Sequence, residues 1–337
     1  MSLAVTVGFD GSPQSRTAAE WAACEALSRR LPLRLIYVWD WQPYTTARKA
    51  EADRRWAEQL PRDAAGELSR RHPRLAVEHE RIPGYATDVL PTVAGRSELL
   101  ALGSRALSGV AGFLLGSVAQ ETVVRATRPV VLVRAGHRPE DEHLPAHEPH
   151  PAHAQRREES AAREPGHPEA GGHEDAGPEP AAAALRPSTA TAYRDVLLGL
   201  DPANPRDEVA EFAFSAAAHR ATRVRVVHGW RMPSSLAHGR HPADEQRRAD
   251  LERDEAEHLA EALRPWREKF PHIEVVQQAR PGSASRLLVD ASADASLVVV
   301  GRREGHPRYG PHGPRIGPIT HAVLHHSTAP VAVVPHL

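Results

Sequence analysis

Two stretches hold the residues whose types and spacing can do chemistry. Leu99 to Val133 passes from a short apolar run into a Gly/Ser-rich loop at Gly103. It continues through a second small-residue turn at Gly116-Ser117 and, after Pro129, ends in another apolar run. Near the start, Val7-Gly8-Phe9-Asp10-Gly11-Ser12-Pro13 closes an apolar run with a carboxylate and a helix-capping sequence. Backbone N–H groups and a hydroxyl at a helix start suit phosphate oxygens. Ser117 has no assignable base, so it reads as a phosphate contact rather than a nucleophile. Asp10 reads both as a turn residue and as a ligand-facing carboxylate at the carboxyl end of a strand.

The elements that must position these groups follow from hydrophobic period and punctuation. Leu3–Phe9 reads as a strand, Ser12 as a cap with Pro13 at the first helical position, and the helix runs to about Arg30. Leu33–Trp39 is a second strand. Ala47–Arg71 is helical with a break or kink at Pro61. Leu75–Arg81 is a strand, Pro83-Gly84 a turn, Thr87–Ala94 a helix and Leu99–Leu102 a strand.

The plan then returns. Val196–Leu200, the Glu208–Arg220 helix, Val224–Trp230, the charged Ala243–Lys269 helix, Ile273–Gln277, Pro281-Gly282 and Leu297–Val300 repeat it in order. Asp10/Asp201 and Trp39/Trp230 share one offset; Gly84/Gly282 and Gly103/Gly301 share a slightly larger one. Matched strands and turns in series indicate tandem domains. The fold class is α/β: two Rossmann-like domains, each with a mostly parallel five-stranded sheet. Right-handed crossovers gather the Asp10 turn, the end of the second strand and the Gly103 loop at one end of each sheet.

Composition narrows the function class. Across 337 residues the net charge is −1, which excludes a global basic field for nucleic acid. Cys24, the single cysteine, reads as a buried helix residue in a reducing interior. The opening residues lack the basic region and longer apolar core of a secretion signal, and no apolar stretch reaches membrane-spanning length. A cytoplasmic setting without membrane partners is expected. The domains are placed at 1–134 and 191–337, joined by a disordered linker at 135–190 rich in His, Glu, Pro and Ala. Its histidines at 137, 143, 147, 150, 153, 167 and 173 match no compact zinc spacing, and His321, His325 and His326 read as helix surface. No metal site is expected.

At these residues the chain resembles the universal stress protein family, specifically its tandem members. The family's Val-Gly-x-Asp-Gly-Ser opening stands at 7–12, and its Gly-x2-Gly-x9-Gly-Ser/Thr loop at 103, 106 and 116–117, with Ala106 in place of the middle glycine. The resemblance implies an adenine nucleotide, ATP foremost with Mg2+, in the first domain. It implies Asp10 at the nucleoside end, Val38 meeting adenine through its backbone, and Gly103, Gly116, Ser117 and Val118 around the phosphates. Ala106 would be strained if that position needs positive φ and tolerated if it needs only a small side chain.

The second copy departs further. Pro202 and Ala203 replace the Gly-Ser of the opening, Glu304 stands at the middle-glycine position, three residues are inserted, and Pro318 replaces Ser117. Ordinary ATP binding is not expected there and its ligand is unassigned. Arg302, Arg303, Arg308 and Arg315 are candidates for another anion or for loop stabilisation. Val130–Val133 and Val331–Val334 are expected to pair within the chain as a pseudodimer, with a homodimer of the tandem left open. The implied function is a stress-response module that senses or stabilises through nucleotide and through contacts with signalling or stress-response proteins. The alternatives are a scaffold without nucleotide and a slow ATPase.

Overall fold

Short Val/Leu/Ile runs between amphipathic helices leave one solution, a sheet buried on both faces. The computed structural model describes residues 3–39, 47–106, 113–145, 189–237, 241–303 and 316–337. The first half runs β1 (Val5–Gly8), α1 (Pro13–Arg29), β2 (Leu33–Trp39), α2 (Ala47–Arg71), β3 (Val77–Pro83), α3 (Ala86–Ala94), β4 (Leu99–Ala106), α4 (Ser117–Arg125) and β5 (Val130–Arg134). The second runs β6 (Asp195–Gly199), α5 (Asp207–Arg220), β7 (Val224–Trp230), α6 (Pro242–Lys269), β8 (Val275–Pro281), α7 (Ala284–Ala291), β9 (Ala295–Arg303), α8 (Pro318–His326) and β10 (Val331–His336).

The strands form one sheet in the order β3-β2-β1-β4-β5-β10-β9-β6-β7-β8. All neighbours are parallel except β5 and β10, which join the halves antiparallel. Their register is self-complementary: Val331 opposes Leu132, Val333 opposes Val130, and Val131 faces Ala332 at the centre. Each terminal strand thus covers the other's edge. One apolar layer, with α1, α2, α5 and α6, runs unbroken across both halves; α3, α4, α7 and α8 build the layer on the other face.

Expectations are modified in both halves: the strand expected at Ile273–Gln277 lies at Val275–Pro281, and the one at Leu297–Val300 spans Ala295–Arg303. Of the break or kink expected at Pro61 the break does not occur: the helix runs unbroken over 47–71, giving up one backbone bond there. The third strand lies at 77–83, two residues beyond 75–81, and the fourth extends to Ala106. Residues 135–145, assigned to the disordered linker, carry a 3-10 turn at Pro139–Glu142 and a bridge from His143 to Tyr193, with Glu142 and His143 buried. The remainder of that linker, 146–188, lies outside the described residues.

The seam between the halves buries charge. Glu25 accepts from Arg29 Nε at 2.6 Å and pairs with Arg220 Nη2 at 2.7 Å. Glu142 lies 3.9 Å from the same Arg220 nitrogen and 2.8 Å from His137 Nε2. Burial raises the Glu25 carboxyl, but Arg220 and Arg29 outweigh it and hold the group at about 2. No described helix is long and apolar enough to cross a membrane.

Candidate functional site

The strand order reverses between β1 and β4, so the loops after these strands diverge and leave a crevice at their carboxyl ends. A cleft of about 450 Å³ opens there. Asp10, Val38, Gly103, Gly116, Ser117 and Val118, all drawn from the sequence, line it together.

Each is positioned by a local rule. Ser12 caps α1 by accepting from Ser15 N at 3.2 Å, with Pro13 next. Asp10 folds the preceding turn: its Oδ1 accepts from Ser12 N at 2.9 Å. Burial raises the Asp10 carboxyl, yet the hydrogen bonds from Ser12 and Ser15 hold it below the ordinary carboxylate range, so it is ionised. Gly116 caps α4 at φ −64 and Ser117 opens the helix, leaving first-turn N–H groups for an anion.

The two loop glycines do different work. A Cβ at Gly103 would lie 2.4 Å from the backbone carbonyl of Gln14, so this glycine lets β4 abut the first turn of α1. A Cβ at Gly116 would meet nothing within 4 Å, so no packing demands this glycine. Ala106 ends β4 in register with Phe113, in extended backbone, and no left-handed conformation is asked of it. Leu107, Ser108, Gly109 and Gly112 lie outside the described residues.

The cleft has two chemically distinct ends. Ile36, Val38, Ala86, Leu90 and Leu102 give an apolar slot, while Asp10, Ser12, Gln14 and Ser117 give a polar one. Gln14 escapes sequence reading because a glutamine in a helix is ordinary. Its Oε1 is buried without a hydrogen-bond partner among the described residues, a group a ligand donor would satisfy.

The second half builds the same crevice differently, at about 380 Å³. Asp201 keeps its turn, accepting from Ala203 N at 3.1 Å. Both first helices end in a left-handed residue, Arg30 and Ala221, but α5 has 14 residues against 17 in α1. At the Asp10/Asp201 offset Pro205 stands for Gln14, and the first turn of the helix is missing. Arg206 occupies the new N-cap without a capping bond and donates to Leu337 O at 2.9 Å. Arg206, Arg303 and His336 all line this cleft.

The apolar slot is altered too. Gly229 replaces Val38, and a Cβ there would lie 2.6 Å from the backbone of Ala284, so α7 packs where a valine cannot fit. At the start of α8, Pro318 has no N–H to offer. Of the arginines suggested as anion ligands, Arg303 lines the cleft, whereas Arg302 is buried and donates to Ala126 O at 2.5 Å across the seam. Glu304, Arg308 and Arg315 lie outside the described residues.

Comparison with known proteins gives a consistent assignment. The model of the universal stress protein family matches residues 1–134 and 192–335. A universal stress protein of Mycobacterium tuberculosis is 28% identical over 346 residues, covering 98% of this chain and 96% of its own. The crystal structure of a universal stress protein from Archaeoglobus fulgidus covers 98% of this chain and 97% of its own at 15% identity, with a TM-score of 0.61. A universal stress protein solved in complex with cAMP covers 40% of this chain and 98% of its own at 23% identity, with a TM-score of 0.33.

Proposed function

The chain belongs to the universal stress protein family, and from that premise we propose that its first cleft is an adenine-nucleotide site, with ATP its foremost ligand. The observation that carries this reading is the convergence of an apolar slot, an ionised Asp10 and a helix N-terminus in one crevice at the switch point. Adenine lies in the slot and meets the Val38 backbone; Asp10 and Gln14 receive ribose hydroxyls; Gly116, Ser117 and Val118 surround the phosphates. Mg2+ rides on the phosphates and water rather than in a protein cage.

The module senses or stabilises in the cytoplasm through partner contacts. Helix α1 carries Ser12 and Gln14 at its first turn and Glu25 and Arg29 at the seam, so a ligand that orders one end bears on the other. The second cleft, with its lost helical turn and Pro318, takes no ordinary ATP and serves the tandem as scaffold.

Calorimetry of the full chain with ATP, ADP and adenosine tests the reading. Affinity rising with phosphate number is the expected result. Equal affinities would remove the phosphate role from Gly116-Ser117, and no binding would leave the scaffold reading for the whole molecule.

A further inference from the structure

Away from both clefts, three side chains of different chemistry meet where the end of α2 crosses α1. Glu20 and Cys24 are one helical turn apart on α1 and share a face. His72 follows the last residue of α2. One carboxylate oxygen, one imidazole nitrogen and the thiol sulfur all lie within 4.8 Å of one another. His72 Nε2 stands 2.8 Å from Glu20 Oε1, and both side chains are mostly covered, at 16% and 21% exposure.

We propose that Glu20, Cys24 and His72 form a three-residue site for a borderline-soft divalent cation, zinc(II) foremost, with solvent in the fourth position. The donor set is S, N and O, which suits zinc and excludes the hard cations that take only oxygen. Ligand atoms around a tetrahedral zinc stand about 3.3–3.6 Å apart. His72 and Glu20 stand 2.8 Å apart, inside that value, and all three atoms lie within 4.8 Å of one another, so the donors are already gathered to the scale of one coordination shell.

Burial first, and then the negative charges of Glu20, Glu142, Glu25 and Glu140, push the Cys24 thiol up to about 12, so the metal-free site holds a protonated thiol; a cation offsets those same charges. Binding exchanges the thiol proton, released to solvent, for the metal. Arg71 pairs with the other oxygen of Glu20 and reaches Glu67 at 2.6 Å, so it fixes the carboxylate with Oε1 turned toward His72. Such outer hydrogen bonds orient metal ligands. The site ties α1 to α2 and adjoins the seam through Glu25, the neighbour of Cys24 in sequence. It rests on none of the nucleotide reading.

The test uses the reduced full chain and cobalt(II) as the probe. Cys24 is the only cysteine, so a near-ultraviolet thiolate-to-cobalt charge-transfer band reports this site alone, whatever cobalt the histidines of residues 146–188 collect. The band is expected in the native chain, absent in Cys24→Ser, and displaced by zinc(II). Apparent affinity is expected to fall at least about tenfold in Glu20→Gln and in His72→Gln, with far-ultraviolet circular dichroism unchanged in all three. No band from a chain whose thiol titrates as fully reduced would overturn the proposal. So would a band of undiminished affinity in Glu20→Gln and His72→Gln, which would mark a lone thiol binding cobalt.

Discussion

The two halves share the five strands of the sheet and differ most in the first turn of the first helix. In the first half α1 starts at Pro13, and Gly103 abuts the Gln14 backbone. In the second, helix α5 starts at Asp207, and the matching Gly301 faces the side chains of His336 and Val209 instead. The duplicated fold therefore keeps the crevice while replacing its polar floor. Fold and site separate here: sheet register is fixed by buried apolar runs, whereas the ligand end depends on a few backbone and side-chain groups that a shorter helix, Gly229 and Pro318 together change.

The largest expected effect lies at the seam, where the halves present matching arginines, Arg29 and Arg220, and one half alone supplies the carboxylate between them. Glu25→Gln leaves the buried Arg29 and Arg220 only the longer pairings to Glu98 at 3.4 Å and Glu142 at 3.9 Å, and should cost about 3 kcal/mol in denaturant unfolding. The pH sign follows from the depressed carboxyl. Stability from Glu25 is fully present above its ordinary 4.5 and is lost as pH falls toward about 2. The variant should show a shallower loss of stability across that window, and an identical acid limb would remove Glu25 from the account.

Next comes the nucleotide end. Gly116→Val adds a side chain where a Cβ meets nothing, so melting temperature should hold while ATP affinity falls. Losing two charge-assisted bonds of about 1.5 kcal/mol or more each is a loss of over about a hundredfold. Gly103→Ala is a packing change, with a Cβ driven into the Gln14 backbone, and should cost about 2–3 kcal/mol. Gly301→Ala meets movable side chains and should cost about 1 kcal/mol or less. Equal costs would erase the structural contrast between the first helices.

The smallest effect expected is Pro318→Ser. It restores a hydroxyl and an N–H at the start of α8 yet leaves the missing turn of α5 and the closed slot at Gly229. Nucleotide titration should show no new site, with stability within about 0.5 kcal/mol of the parent. A gain of binding would make Pro318 alone responsible for the second cleft's chemistry.

Much of this was legible in the sequence. Val runs after Pro129 and Ala329-Pro330 announce the terminal strands and their pairing, and motif spacing with the family resemblance points to the six cleft residues. What escaped depends on three-dimensional proximity. Pro205 signals a helix start, but its meaning appears only when Gln14 is seen as a floor residue of the other cleft. Residues 135–145 have the composition of a linker, yet His137 pairs with Glu142, Glu142 reaches Arg220 at the seam, and the His143 ring packs 4.0 Å from that of Tyr193. Arg302 follows an apolar strand as a loop arginine would, while its guanidinium crosses to Ala126. His72 is separated from Glu20 and Cys24 by β2 and the whole of α2, so no short motif joins the three.

The central claim is that one duplicated crevice binds nucleotide and the other does not. Gly116 and Gly317 cap α4 and α8 at φ −64 and −65, and a Cβ at either meets open space. Calorimetric stoichiometry of ATP on the full chain, on Gly116→Val and on Gly317→Val therefore tests it with matched variants. The account predicts one nucleotide per chain, lost in Gly116→Val and untouched in Gly317→Val. Two nucleotides per chain, or one that survives Gly116→Val and disappears in Gly317→Val, would contradict it.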